Sequence, residues 1–359
     1  MKFRILAIFL ACLLLTGCGA EPTDPMEKTV RRRYEELCAL CPEGAKPQEI
    51  EQVLMDAGLD VIDTSEELPD YLTTPEHFYT FWDHVQQGEN AQQEIISVNS
   101  DGSPTYQLFV QQDGTPLLYS IHGADYEARE IKDWEVSEHG NFYYRIYPEW
   151  DKHCIAYAFI RLEKPNRQLW ELFRQYVEAG SYVAANVFLT DWTEENFGAL
   201  SFNNVFEYLY RYRTGKPCDL SAFRYRKEED RYLVPAEIFE DAVLPFFAID
   251  REFLRERAGY EETLDGYPWQ DVETQDFVFV GYTVIEPEIR AFRENGDGTL
   301  TLTVEALAPD RKTDCIFAHE LTVRPLDTGG FQFVGNRVTF QTDYGLPYCE
   351  PRLTWDTRR

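Results

Sequence analysis

The hydrophobic pattern opens with eleven apolar residues in a row, 5–15, before any periodicity begins. From residue 27 it becomes amphipathic. Val30, Tyr34 and Leu37 recur at helical spacing and predict a helix over 27–40. Ile50, Val53 and Leu54 predict a second over 47–57, with Pro47 in its first turn and Gly58 as its stop. A third, over 75–87, is predicted by the stripe Phe78, Phe81, Trp82 and Val85, with Thr74 as cap and Gly88 at the end. Then the period drops to two. Segments 94–99, 106–111 and 116–121 alternate around Ser100-Asp101-Gly102 and Gln112-Asp113-Gly114, which are hairpin turn sequences, and 141–147 and 155–162 continue the sheet.

Glu163-Lys164-Pro165-Asn166 breaks this pattern, and the order of elements then starts again. Helices are predicted over 167–178, 201–213 and 235–246, followed by strands over 277–284, 289–294, 299–307, 317–323 and 331–340. The expected fold class is therefore α+β, in two domains (27–163 and 164–359), each with helices preceding an antiparallel sheet. The two halves share an order of elements but no residue-level repeat.

The apolar head is too short to cross a membrane. As a helix it reaches ~16 Å, whereas a bilayer core needs ~30 Å. Lys2 and Arg4 precede it and small residues follow it, which is the build of a signal peptide. Leu15-Thr16-Gly17-Cys18 resembles the lipobox of bacterial lipoproteins. The resemblance implies that 1–17 is a cleaved signal peptide, that Cys18 is diacylated, and that 18–26 is a short tether. The eight residues after Cys18 span ~28 Å at full extension, so the protein is expected to work close to the extracytoplasmic face of a bacterial cell membrane. Further along, 232–240 (YLVPAEIFE), 297–304 (DGTLTLTV) and 319–326 (HELTVRPL) are similar to uncharacterised lipoproteins of anaerobic Gram-positive bacteria. With the head, this likeness covers about half the chain; it implies the same surface address and no activity.

Charge narrows the partners. Loss of Lys2 and Arg4 leaves 32 basic residues against 63 acidic, a balance of −31, which repels a nucleic acid backbone. Solubility outside the cell accounts for the acidity, and no motif turns it into a cation site. Aromatic residues make up 15% of the chain, enough for large core side chains. With Cys12 removed and Cys18 lipidated, six cysteines remain: Cys38, Cys41, Cys154, Cys218, Cys315 and Cys349. Six over some 340 residues make no disulfide scaffold, and Cys38-Ala39-Leu40-Cys41 lacks both a βαβ setting and a second pair to complete a zinc site.

Few constellations suggest chemistry. Asn295-Gly296-Asp297-Gly298 fits positions three to six of a calcium loop, but position one is then Arg293 and position twelve Val304, so a hairpin turn is expected instead. His77 and His84 share one side of a helix at seven-residue spacing, whereas metal ligands on one helix stand three or four apart. His153 and Cys154 are neighbours in a predicted strand and point to opposite faces. P-loop, dinucleotide and G-x-S-x-G signatures are missing, so neither cofactor nor metal is expected.

One charge cluster runs against the rest. Between 211 and 227 there are six basic residues (Arg211, Arg213, Lys216, Arg224, Arg226 and Lys227) and a single acid, Asp219. Tyr208, Tyr210, Tyr212, Phe223 and Tyr225 interleave with them, and arginine beside aromatics suits carboxylate or phosphate ligands. The ligand-binding candidates are Tyr208, Arg211, Tyr212, Arg213, Arg224, Tyr225 and Arg226. A second basic group, Lys28, Arg31, Arg32 and Arg33, lies beside the lipid anchor; it can meet anionic headgroups or pair with Glu35 and Glu36. The reading is a lipid-anchored, non-catalytic module that binds an anionic ligand or a surface protein. A cell-envelope hydrolase using carboxylates that the sequence does not single out is the alternative.

Overall fold

A computed structural model describes residues 25–65, 67–146, 157–182, 185–198, 200–270 and 285–342. These residues form seven α-helices and seventeen strands, every strand pairing antiparallel, in an α+β fold. Contacts gather the chain into two compact units. One runs up to Asn166 and includes Pro309–Lys312; the other holds Arg167–Ala308 and the residues from Thr313 onward. The residues just before Arg167 are bonded within the first unit. Leu162 donates its N–H to the Gly140 carbonyl (2.8 Å), Tyr79 bonds Glu163 (2.7 Å), and the Lys164 ammonium lies 5.4 Å from the Tyr71 ring centre.

The first unit begins with α1 (Pro25–Leu40) and α2 (Pro47–Asp56). The ribbon of β1 (Ile62–Asp63) and β2 (Tyr71–Leu72) follows, then α3 (Pro75–Gln86). β3 (Ala91–Val98), β4 (Pro104–Gln112), β5 (Thr115–His122) and β6 (Asp125–Glu130) form a meander. Asp113 and Gly114 take φ of 49° and 81° between β4 and β5, the left-handed pair that a two-residue hairpin turn requires. Where the sequence predicts one continuing sheet, there are two. Ile131 still donates to the Pro116 carbonyl (2.9 Å), but Lys132 donates to that of Arg145 (2.7 Å). The chain thereby changes partners into β7 (Asp133–Val136), β8 (Asn141–Arg145) and β9 (Ala158–Arg161). The meander is covered on both faces: Val30, Leu37 and Leu54 pack with Ile96 and Tyr106, while Phe78, Phe81 and Phe142 pack with Ile95 and Phe109.

In the second unit, α4 (Arg167–Leu172) passes into a π-helical turn, Phe173–Val177, in place of the continuous helix predicted to 178. β10 (Trp192–Thr193) and α5 (Phe202–Thr214) follow. β11 (Arg224–Arg226), β12 (Arg231–Pro235), α6 (Ala236–Val243), α7 (Arg251–Ala258) and β13 (Gly266–Trp269) come next. β14 (Glu286–Glu294), β15 (Leu300–Ala308), β16 (Thr313–Pro325) and β17 (Phe331–Gln341) complete a five-stranded sheet ordered β10-β17-β16-β15-β14. The three-stranded sheet β11-β12-β13 and α7 were not predicted, so helices do not simply precede strands in this half. α7 escapes a periodicity argument because only Leu254 and Ala258 of its eight residues are buried. Polar contacts hold it instead: the buried Glu240 of α6 accepts from Arg251 (2.8 Å), Arg255 (2.9 Å) and the Tyr267 hydroxyl (2.9 Å). The strand predicted over 277–284 lies outside the described residues.

A buried polar chain ties the irregular segment 185–198 to the large sheet. The Asn336 amide on β17 donates to the carbonyls of Phe188 and Thr190, both at 2.9 Å, and its oxygen accepts from His319 Nδ1 at 2.6 Å. With that proton on Nδ1, His319 Nε2 accepts from the Tyr182 hydroxyl. Burial pushes the His319 pKa down to about 4, against the opposing pull of Asn336. An unfolded histidine titrates near 6.5, so below that value the unfolded chain takes up a proton that the folded chain refuses. The contribution of His319 is complete above about pH 6.5 and is lost as pH falls toward 4, up to ~3 kcal/mol. Urea unfolding between about pH 7.5 and 4.5 checks this: H319Q should be less stable at neutral pH but show a shallower acid slope. Parallel slopes for the two proteins would remove His319 as the cause.

Candidate functional site

The basic stretch begins on α5. Phe202, Val205, Phe206 and Leu209 bury one face of this helix, and Gly215 at φ 68° ends it, donating to the Arg211 carbonyl at 2.8 Å. Arg211 and Arg213 fall in the last turn, where cations suit the helix dipole. Asn203 fixes the start of the helix by donating to the carbonyls of Ala258 (3.0 Å) and Pro268 (2.8 Å). After a short turn at Leu220–Ala222 the chain enters β11, the outer strand of the small sheet.

The predicted residues divide into engaged and open ones. Arg211 lies over the Tyr208 ring at 5.7 Å. Tyr212 donates to the Gln175 carbonyl (2.7 Å) and sets its ring edge-on to Phe246 and Phe331, so it pins α5 to the π-helical turn. On β11, Arg226 is held by Glu229 and Glu261, and Glu229 also takes Arg231, the residue directly across from Arg226. Two arginines that would repel each other are thus bridged by a carboxylate. Tyr225 is half exposed; its hydroxyl donates to Asp230 at 2.6 Å, and that bond raises the phenol pKa. Arg213, Lys216, Arg224 and Lys227 are exposed, and none of their side chains has a hydrogen-bond or ion-pair partner among the described residues.

The other basic group is spent internally. On α1, Arg31 pairs with Glu27 (2.7 Å), Arg32 with Glu36 (3.8 Å), and Arg33 with Glu94 (2.9 Å) and Glu36 (3.4 Å). Glu94 is the partner that the sequence could not supply, because it comes from β3. Lys28 alone of this group is exposed without a partner among the described residues.

His77 and His84 do share a side of α3, but each turns Nδ1 to a carboxylate: His77 to Asp60 at 2.7 Å and His84 to Glu89 at 2.6 Å. They flank a shallow cleft of about 270 Å³ that Thr80, Phe81 and Gln93 also line. The buried Asp60 receives Thr74 and Gln93 as well. Sequence reasoning saw the two histidines and missed both carboxylates, since Asp60 precedes the helix and Glu89 follows it. Among the described residues no group of three or more His, Cys, Asp or Glu comes together to hold a metal.

No disulfide joins Cys38, Cys41, Cys218 and Cys315 to one another. Cys41 lies just past the C-terminal end of α1, where the dipole disfavours a thiolate; it donates to the Leu37 carbonyl, and burial raises its pKa. Burial likewise pushes Cys315 up to about 11. Asn295–Gly298 forms the β14–β15 turn, with Asp297 accepting from the Thr299 N–H (3.0 Å) and hydroxyl (2.7 Å). Cys18, His153, Cys154 and Cys349 lie outside the described residues.

Fold and site together define an α+β protein with a surface basic island on its second unit. The chain belongs to a family of unknown function, DUF6070, whose model matches residues 22–352. No curated protein and no solved structure matches it.

The division into engaged and open arginines is measurable as stability. R224A should leave urea unfolding within about 0.5 kcal/mol of wild type, because no contact is lost. R226A should cost about 1 kcal/mol, since it removes two ion pairs of a half-buried network and takes from Glu261 its ion-pair partner, while Glu229 keeps Arg231. Equal effects would contradict the assignment.

Proposed function

We propose that this chain is a lipid-anchored extracytoplasmic protein whose two α+β domains follow a short tether from Cys18. It acts as a non-catalytic binding module, and residues 211–227 engage an anionic ligand or surface near the membrane. The observation that carries this reading is charge left open where charge is scarce. In a chain of net charge −29, with the arginines of α1 paired, Arg213, Lys216, Arg224 and Lys227 keep their charges exposed and unpartnered among the described residues. Acidic side chains abound on this surface, yet Glu229 and Asp230 are drawn instead to Arg226, Arg231 and Tyr225. Exposed cations of this kind suit phosphate or carboxylate.

Two measurements test the parts separately. Mass spectrometry of the mature protein should find a diacylglyceryl thioether on Cys18, and C18S should move the protein from the membrane to the soluble fraction; an unmodified Cys18 ends the anchoring claim. For the binding module, a soluble polyglycerol phosphate should bind the mature C18S chain (residues 18–359), and R213E/R224E should weaken that binding by roughly tenfold. Unchanged affinity in the double variant would remove the island from the binding surface.

A further inference from the structure

We infer that the island's partner is the anionic phospholipid surface of the membrane that carries the anchor: the end of α5 and the edge strand β11 lie against headgroup phosphates. This rests on the binding role proposed above and specifies its occupant.

Three observations point there. First, the open cations are exposed and spread along the chain: Arg213 lies in the last turn of α5, Lys216 just after it, Arg224 on β11 and Lys227 in the turn that follows. A planar array of phosphates meets such a spread; each Lys or Arg near an anionic leaflet contributes about a fivefold gain in partition.

Second, β11 also presents an aromatic side chain, on the face opposite Arg224. Tyr225, Tyr232 and Trp269 are directly opposite one another on the three strands and form one row across a face of the sheet, with ring centres 5.1 and 5.9 Å apart. Trp269 is buried at the inner end, and Tyr225, 50% exposed, stands at the outer end. A tyrosine held at the rim by its neighbours, with its hydroxyl bonded to Asp230, has an apolar body for the headgroup boundary and a polar tip for water.

Third, β11 is three residues long, too short an edge to recruit an extended acidic peptide by strand addition, which needs a row of main-chain bonds. The contacts this surface offers are side-chain charge and one ring. Such binding is weak for a free protein. It becomes effective when an anchor holds the chain at the membrane, because the second contact is then intramolecular.

The experiment uses the mature chain, residues 18–359, with Cys18→Ser. It is sedimented with vesicles of phosphatidylcholine alone and of phosphatidylcholine mixed with phosphatidylglycerol, alongside binding to soluble polyglycerol phosphate. Of the two kinds of vesicle only the anionic one should bind, and polyglycerol phosphate should bind as well. Binding to the anionic vesicles should fall about fivefold in R224Q and to the phosphatidylcholine level in R213Q/K216Q/R224Q/K227Q, a variant that breaks no side-chain hydrogen bond or ion pair among the described residues. Y225A should weaken it further at fixed charge, and K28Q, on α1, should change it less than twofold. Anionic-vesicle binding that survives the quadruple substitution overturns the inference. Failure to bind vesicles while polyglycerol phosphate binds through the same four residues also overturns it, yet leaves the binding role standing. Failure to bind either probe ends both.

Discussion

A buried carbonyl oxygen must find a donor, and the second unit is organised around meeting that requirement where no regular element can. Residues 185–198 run through an aromatic core with Ala185, Val187, Phe188 and Trp192 almost wholly buried, yet the segment contributes only two residues of strand. Three of its carbonyls are taken by side chains, while the N–H groups of Leu189, Thr193, Glu194 and Asn196 donate to backbone carbonyls. Asn336 serves Phe188 and Thr190, the Trp192 indole serves Val187 at 2.8 Å, and Asp191 answers the Val338 N–H at 2.7 Å. Leaving any of these unmade in a water-free core costs more than the net gain of an ordinary hydrogen bond. Asn336 can spend its amide hydrogens on carbonyls because His319 supplies the proton its oxygen needs, and His319 does so as a neutral ring bonded to Tyr182.

The surface inherits its geometry from this arrangement. Asn186 accepts the N–H of Ser201 at 3.1 Å, so the clamped segment sets where α5 begins. Asn203, in the first turn of α5, is bonded to the carbonyl of Pro268 on β13, which pairs with β12, which pairs with β11. The helix end and the edge strand that carry the basic residues are therefore connected through buried amide side chains. On the outside the logic is electrostatic. Glu229 is committed to Arg226 and Arg231, and Asp230 to Tyr225, so neither carboxylate pairs with Arg224 or Lys227.

Much of this was legible in the chain, and the failures have causes. α1, α2 and α3 came out within two residues of prediction, because each combines a clear apolar stripe with a proline or glycine at its boundary. The β3–β5 meander was readable from its Asp-Gly turns. The switch from β6 to β7 was not, since it depends on which carbonyl receives Lys132. The three-residue β11 and the largely polar α7 have too few apolar positions for any period to show, and both are held by contacts to Glu240, Glu261 or β12 from elsewhere in the chain. At the candidate site, the excess of basic residues between 211 and 227 was evident. Which of them remain open was not.

Local chemistry along the chain determined the α+β class, most helix boundaries, the hairpin turns, the acidic balance and the basic stretch within it, because each depends on neighbours a few residues apart. Partnership across distance was decided only by the tertiary structure. Arg33 is neutralised by Glu94 on a strand, His77 turns to Asp60 ahead of its helix, Arg226 is taken by Glu261, and Arg224, two residues earlier, is left in solvent. A charge is open or spent according to the few ångströms around it, and those distances exist only after folding.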